Sequence, residues 1–341
     1  MFSTGALAAA LAIALIPYSL GCIFGGGGGG GGGSSGRILL VGGTIDGAVE
    51  TREVREFEPS TGRVQDSTIG PLLRPRTGHV VGVLKDLIVV AGASDDRAST
   101  EVYVPADGRF IEGPRMNEPR VNAVGAVVGD SMYVCGGTRT VLDDYVDTCE
   151  YLSIPDGNVA NARWRLVGAK LPYTMASGVA VGRDDHLYII GGNSHVLDTG
   201  RELSQVYRLN VKKNAWQQLP SLSVPREYAA ASLSISGKEL VVCGGYYSAN
   251  APEPLFLSSC EELDLTKGTS GQWRAAGGLT RPRDKAAMAR FNDRLLVFGG
   301  GGSDFELEDG YETRVDGSAN WQFSSADVGK KKFGAAVVYP N

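Results

Sequence analysis

Histidine and cysteine are scarce in this sequence, with three histidines and five cysteines among 341 residues. No H-x-x-x-H pair, no cysteine–histidine cluster with zinc spacing and no calcium-binding loop occurs. A phosphate-binding loop and a G-x-S-x-G nucleophile motif are missing as well. We therefore expect no metal, no cofactor and no catalytic residue, which favours a binding protein over an enzyme.

A block of like charges is also missing. The formal net charge is −5 and is spread along the chain. Because no basic stripe is present, nucleic acid is excluded as an expected partner, and no acidic tail indicates a cationic one.

The first 36 residues carry no charged side chain and have the character of an export segment. Ala6 to Ile16 form an apolar stretch of the length of a signal-peptide core, and the sequence SLGC follows, ending at Cys22. This resembles a bacterial lipoprotein signal over residues 1–22, which implies that Cys22 receives a lipid. The chain departs from that pattern in lacking Lys or Arg near Met1 and in placing Ser19 where Leu is commoner.

Residues 23–36 are dominated by nine consecutive glycines and two serines, a composition that behaves as a flexible tether. A tether after a lipidation site suits a domain displayed on a membrane, so we expect an exported, lipid-anchored protein of the cell envelope, periplasmic or on the outer surface. An uncleaved apolar anchor helix is an alternative that Pro17 and the short apolar run disfavour. Secretion without a lipid is the other alternative.

A repeat organises the rest of the chain. Six Val/Ile/Leu-rich runs end in Gly-Gly or a near relative, at spacings of 49, 45, 55, 53 and 55 residues. This period is too long for helical solenoid repeats and is typical of the four-stranded blades of a propeller. The runs end at Gly43, Gly92, Gly137, Gly192, Gly245 and Gly300.

Each repeat has the same further parts: a turn with proline, a strand of small and branched residues, the Gly-Gly strand, a variable loop, a third strand and a fourth strand. In five repeats an aromatic residue opens the fourth strand: Phe110, Trp164, Trp216, Trp273 and Trp321. The pattern resembles a kelch repeat over residues 37–341. That resemblance implies an all-β, six-bladed β-propeller of four-stranded blades, and we expect a monomer.

The two ends of the chain complete one blade. The first repeat lacks an innermost strand, whereas the residues from Lys332 onward resemble an innermost strand with nothing after it. Lys332 in register with Arg76 brings Asn341 beside Arg37. We therefore predict that the C-terminal strand joins the N-terminal blade, since closure removes exposed sheet edges.

Four cysteines lie at matched positions of two repeats. Cys135 and Cys243 directly precede Gly-Gly, and Cys149 and Cys260 open the following strand. Adjacent antiparallel strands can place such residues opposite one another, within the reach of a disulfide. In an exported chain this favours the bonds Cys135–Cys149 and Cys243–Cys260, with free buried thiols as the alternative.

One further set of residues aligns at a single level, just before each innermost strand at the mouth of the central channel. The set is Arg76, Arg120, Tyr173, Arg226, Arg283 and Lys332. Five cations around one opening focus a positive potential, which makes these residues candidates for binding an anionic group such as a peptide carboxylate or an acidic sugar. Alternatively, the arginines brace the turn between blades or pair with acidic loop residues, and the sequence leaves both interpretations open.

We interpret the chain as a non-catalytic binding or scaffold module that recognises a protein, peptide or glycan at the channel mouth, as resemblance to ligand-binding kelch proteins implies. The membrane is contacted through the lipid alone. The rival interpretation is a periplasmic sugar mutarotase or epimerase of the sialic-acid mutarotase kind, in which arginines hold a sugar carboxylate. A carboxylate with a raised pKa near the channel mouth would favour that enzyme.

Overall fold

The computed structural model describes residues 36–45, 49–93, 95–140, 144–195, 202–248, 255–302, 310–315, 318–325 and 331–340. For residues 45 and 331–340 the backbone alone is described. The signal segment (1–22), including Cys22, and all but the last residue of the tether (23–36) lie outside this part of the chain.

Six antiparallel sheets, each built on four strands, form the blades. Blade 1 consists, from the axis outward, of β27 (Lys331–Pro340), β1 (Gly36–Ile45), β3 (Val54–Glu58) and β4 (Arg63–Asp66), with β2 (Val49–Glu50) paired to the end of β1. Blade 2 consists of β5 (Val80–Leu84), β6 (Leu87–Ala91), β7 (Thr100–Val104) and β8 (Arg109–Glu112). Blade 3 consists of β9 (Val124–Val128), β10 (Ser131–Cys135), β11 (Cys149–Ser153) and β12 (Trp164–Leu166).

The other three blades repeat this order. Blade 4 consists of β13 (Val179–Arg183), β14 (His186–Ile190), β15 (Val206–Asn210) and β16 (Ala215–Leu219). Blade 5 consists of β17 (Ala230–Leu233), β18 (Glu239–Cys243), β21 (Ser259–Asp264) and β22 (Trp273–Gly278), with a hairpin of β19 (Tyr246–Tyr247) and β20 (Leu255–Phe256). Blade 6 consists of β23 (Ala287–Phe291), β24 (Arg294–Phe298), β25 (Tyr311–Val315) and β26 (Gln322–Ser324). Among the described residues, 3-10 segments lie at Val159–Asn161 and at Leu265–Ser270, the latter interrupted at Gly268.

Burial explains why the inner strands have apolar runs instead of alternating patterns. All five residues of β6 and of β9 are buried, because each blade is covered on both faces by its neighbours. The outermost strands are mostly exposed or half-buried, as in β4 and β8. The predicted fold class, a six-bladed propeller of four-stranded blades, is confirmed.

The ring is closed by the last strand. Each innermost strand contacts the innermost strands of both neighbouring blades, and β27 takes its place between β23 and β5. In the register of β1 and β27, Arg37 lies opposite Tyr339 and Val41 opposite Ala335. The joining of the two chain ends is thus as predicted, but Arg37 faces Tyr339 instead of Asn341, which lies outside the described residues.

The tryptophans that open the fourth strands of blades 3, 4 and 5 link those blades to the preceding ones. Trp164 Nε1 donates to Thr100 Oγ1 and to the Pro114 carbonyl of blade 2, at 3.0 Å each. Trp273 Nε1 donates in the same way to the Pro220 carbonyl at 2.8 Å. These indoles therefore fill the space between sheets while their polar atoms find backbone acceptors.

Both predicted cysteine pairs are bonded in the structure. Cys135 lies directly opposite Cys149 on β10 and β11, and Cys243 lies opposite Cys260 on β18 and β21. The Cα atoms are 4.0 and 4.1 Å apart. Each bond therefore links the second and third strands of its blade.

We expect a Cys135→Ala/Cys149→Ala variant to lose about 3 kcal/mol of unfolding free energy under oxidising conditions, as the chain-entropy model gives for a loop of this size. Equilibrium unfolding in urea, with and without reductant, measures the loss. The matched control is Cys135→Val/Cys149→Val, because Val41 and Val54 occupy the same cross-strand site in blade 1. Equal midpoints for the wild type and the Cys135→Val/Cys149→Val variant under oxidising conditions would show that this disulfide contributes nothing.

Candidate functional site at the channel mouth

The four arginines of the Pro-Arg turns lie inside the blades. Their side chains are fully buried, and each donates to a buried glutamate on the third strand of its own blade. The pairs are Arg76 with Glu101, Arg120 with Glu150, Arg226 with Glu261, and Arg283 with Glu312. Each arginine also donates to the carbonyl of the first residue of the Gly-Gly motif or its equivalent: Gly92, Gly136, Gly244 and Gly299.

The pair in blade 6 illustrates this bracing network. Arg283 Nε lies 2.8 Å from Glu312 Oε1, and Arg283 Nη1 donates to the Gly299 carbonyl at 2.7 Å. The other oxygen of Glu312 accepts from the backbone N–H of Thr280, in the turn that leads to the arginine. The ion pair therefore fastens the incoming turn to the second and third strands.

This geometry supports the bracing alternative for Arg76, Arg120, Arg226 and Arg283. A ligand at the channel mouth could not reach these guanidinium groups, because their side chains have no exposed surface. The hypothesis of an anionic ligand depended on a ring of exposed cations. That ring is not formed by the four arginines.

The two other members of the predicted set fall at different levels. In each blade, one residue of the innermost strand pairs with the residue directly before the Gly-Gly motif or its equivalent, as Val80 does with Ala91. Each arginine lies four residues before that innermost-strand residue, as Arg76 does before Val80. The same count leads to Met175 in blade 4, not Tyr173, and to Lys331 in blade 1, not Lys332. The Lys332 backbone pairs with Thr44, and its side chain is outside the described part.

Blade 4 replaces the ion pair by apolar and aromatic contacts. Met175 is buried at the arginine position, and Tyr207 takes the place of the glutamate on the third strand. Tyr173 packs edge-on against Tyr207, with 5.7 Å between ring centroids, and burial raises the pKa of Tyr173. Blade 4 thus lacks both the arginine and the glutamate. This is expected if either charge would be buried without a partner when the other is missing.

A belt of backbone hydrogen bonds surrounds the axis two residues beyond each arginine position. Its residues have left-handed φ values: Gly78 (64°), Asn122 (55°), Ser177 (58°), Tyr228 (53°) and Lys285 (56°). The N–H of each one from Asn122 onward donates to the carbonyl of the belt residue in the preceding blade, at 2.7–2.9 Å. We define the channel mouth as this belt, the residue before each belt member, the residue that follows each Gly-Gly motif, and the residues that bridge to the latter, as Glu202 does to Asn193.

Three carboxylates cluster at the channel mouth. Glu227 and Asp284 come directly after the buried arginines of blades 5 and 6, and Glu202 lies in the segment before β15. All three are less than a tenth exposed. The corresponding positions in blades 2, 3 and 4 hold Thr77, Val121 and Ala176.

Short backbone bridges fix the cluster in place. Glu227 pairs with Tyr246, and Asn193 pairs with Glu202. Asn193 Nδ2 also donates to Glu227 Oε2. Lys285 lies 3.8 Å from Asp284 Oδ2 and 4.6 Å from the centroid of the Tyr228 ring.

The carboxylates act on one another electrostatically. Burial, followed by the nearby charge of Glu202, raises the pKa of Glu227 to about 7. Burial also raises the pKa of Tyr246, and Glu227, Glu202 and Asp284 add to that rise. The channel mouth is therefore acidic, whereas the sequence pattern indicated a positive potential.

The described residues contain no group of three or more His, Cys, Asp or Glu side chains arranged to hold a metal ion. Likewise, no helix among them has the length and apolar character needed to cross a membrane. His79 is buried beside blade 1, where its Nε2 lies 3.1 Å from the Val41 carbonyl, and burial lowers its pKa to about 3.

Fold and site together define a closed six-bladed propeller whose polar centre is at one end of the axis. The model of the KLHDC2/KLHL20/DRC7 Kelch-repeats domain matches residues 33–245, more than half of the chain. This chain therefore belongs to the kelch-repeat family.

Curated relatives share parts of the sequence. Alpha-scruin from Limulus polyphemus is 25% identical over 242 residues, which cover 67% of this chain and 25% of alpha-scruin. Kelch-like protein terF from Aspergillus terreus is 25% identical over 248 residues, covering 69% of this chain and 51% of terF. The chain thus spans at most about half the length of these relatives. Among solved structures, that of YjhT superposes with a TM-score of 0.67 at 13% identity, over 85% of this chain and 97% of that one.

Proposed function

We propose that this protein is a non-catalytic module that binds a protein partner through the channel-mouth face. The β19–β20 hairpin carries the proposal, because it projects from blade 5 directly beside Glu227. Leu255 at its end is 48% exposed, and Tyr246 packs edge-on against Phe256 with 5.4 Å between ring centroids. Aromatic residues beside an exposed apolar one are typical of protein interfaces.

Substitution of two exposed leucines, one in the hairpin and one elsewhere as a control, tests this proposal. We expect Leu255→Ser to weaken capture of the partner from the protein's own source by at least about tenfold, the loss of one interface anchor. The control is Leu166→Ser, on the outermost strand of blade 3, where the leucine is 55% exposed. Quantitative mass spectrometry of captured proteins gives the ratio. Equal losses for both variants, or none for either, would place the interface elsewhere.

The proposal includes export and a lipid anchor. It is supported by the apolar segment before Cys22, by the glycine tether, and by two cysteine pairs at bonding distance. We expect Cys22→Ala to abolish fatty-acid labelling and to release the protein from the membrane fraction. A wild-type protein that incorporates no fatty acid would contradict the anchor and leave simple secretion.

The mutarotase alternative meets one of its two requirements. Glu227 is a carboxylate with a raised pKa at the channel mouth. The arginines that would hold a sugar carboxylate are instead buried and paired with glutamates. We therefore do not propose this activity.

A further inference from the structure

We propose that the channel mouth binds a basic side chain, lysine or arginine, of the protein partner, with Glu202 and Asp284 as its carboxylate contacts. This inference rests on the proposed function and specifies which chemical group the channel mouth recognises.

Buried acceptor atoms without donors point to such a ligand. Glu202 and Asp284 are 6% and 4% exposed, and each has one engaged oxygen: Glu202 Oε1 accepts from Ser248, and Asp284 Oδ2 faces Lys285. Within the described part of the chain, Glu202 Oε2 and Asp284 Oδ1 have no hydrogen-bond partner. A buried acceptor left unpaired is costly, and a charged one more so.

Two amide oxygens extend this set. Asn122 Oδ1 and Asn193 Oδ1 are likewise buried atoms without a hydrogen-bond partner among the described residues. Asn193 contacts Glu227 and pairs with Glu202, whereas Asn122 belongs to the belt around the axis. The channel mouth thus presents acceptors from several blades, which suits a ligand with several N–H donors.

The cluster also has an excess of negative charge. Lys285 is the cation that contacts it in the described residues, against the three carboxylates Glu202, Glu227 and Asp284. The neighbouring arginines of blades 5 and 6 are engaged with Glu261 and Glu312. A further cation would therefore be attracted to the channel mouth and would relieve the repulsion among the carboxylates.

A basic side chain fits this environment better than a metal ion does. The described residues offer no arrangement of three metal ligands. Tyr246 lies against the carboxylates and packs on Phe256 in the exposed hairpin. A lysine or arginine could place its aliphatic stem along these rings and its charged end among the carboxylates.

The test uses the purified domain and a matched pair of probes, N-acetyl-arginine amide and N-acetyl-citrulline amide, which differ mainly in charge. We expect isothermal titration calorimetry to show binding of the arginine probe alone. The Glu202→Gln/Asp284→Asn variant should bind the arginine probe at least about tenfold more weakly. The melting temperature of this variant should equal or exceed that of the wild type, because repulsion among the carboxylates is removed. Asp130→Asn/Asp293→Asn removes the same charge from exposed turns between the inner two strands of blades 3 and 6 and should bind as the wild type does.

Other outcomes overturn the inference. Equal binding of arginine and citrulline probes would show that charge is not recognised, and tighter binding of spermidine or Ca²⁺ than of the arginine probe would identify a different ligand class. If Leu255→Ser reduces partner capture but Glu202→Gln/Asp284→Asn does not, the proposed function stands and the basic side chain is excluded. If neither change affects capture, the proposed function fails as well.

Discussion

Glu312→Ala is expected to lower the free energy of unfolding by about 3–5 kcal/mol, one of the two largest effects that the structure predicts. The reason is that Arg283 would remain buried without the carboxylate that now lies 2.8 Å from its Nε. The backbone N–H of Thr280 would lose its acceptor at the same time. Equilibrium unfolding in guanidinium chloride measures the change.

The matched control replaces both members of the pair. Arg283→Met/Glu312→Tyr copies blade 4, where Met175 and Tyr207 occupy the equivalent positions. We expect this double variant to recover at least half of the loss, because no charge is left buried alone. If the double variant is no more stable than Glu312→Ala, the coupling between arginine and glutamate is absent.

Deletion of residues 331–341 is expected to abolish cooperative unfolding and to cause aggregation. It removes β27, so that β1 becomes an open edge and β23 and β5 lose the strand between them. Differential scanning calorimetry and light scattering report the two effects.

A circular permutant is the control for this deletion. Gly36 lies opposite Pro340, so a short linker can join the chain ends, and new ends can be opened in the exposed turn at residues 105–108. All strands are then kept, and we expect cooperative melting. A deletion variant that melts as the intact domain does would disprove closure by β27.

The architecture could be predicted from the sequence because it depends on features that recur in every repeat. The Gly-Gly runs, the fourth-strand aromatic residues and the matched cysteines each follow from spacing along the chain. Once the strand order was known, Cys135 and Cys149 had to be neighbours on adjacent strands. Closure followed because the first repeat lacked one strand and the chain end supplied it.

The role of the arginines could also have been found in the sequence. In the four repeats with Pro-Arg, the third strand carries a glutamate opposite the next-to-last residue of the Gly-Gly strand: Glu101, Glu150, Glu261 and Glu312. In blade 4 the equivalent residue is Tyr207, and the arginine is missing too. In blade 4 the turn is two residues longer, so Pro172-Tyr173 lies two residues before the position equivalent to Pro-Arg. Aligning the two motifs therefore placed Tyr173, instead of Met175, at the arginine position.

The acidic channel mouth could not have been predicted in this way. Glu227 and Asp284 stand next to arginines in the sequence, where each looks like one half of a local charge pair. Glu202 comes from the segment before β15. Only the circular arrangement of blades 4, 5 and 6 brings the three carboxylates within electrostatic reach of one another.

The most direct test that the channel mouth is the recognition site is a crystal structure of the domain with bound N-acetyl-arginine amide. We predict that a guanidinium nitrogen lies at a hydrogen-bonding distance of about 2.7–3.2 Å from Asp284 Oδ1 or Glu202 Oε2. The opposite result would be a probe seated in the cleft of about 620 Å³ between blades 1 and 6, lined by Arg37, Glu56 and Tyr311, with no ligand density at the channel mouth.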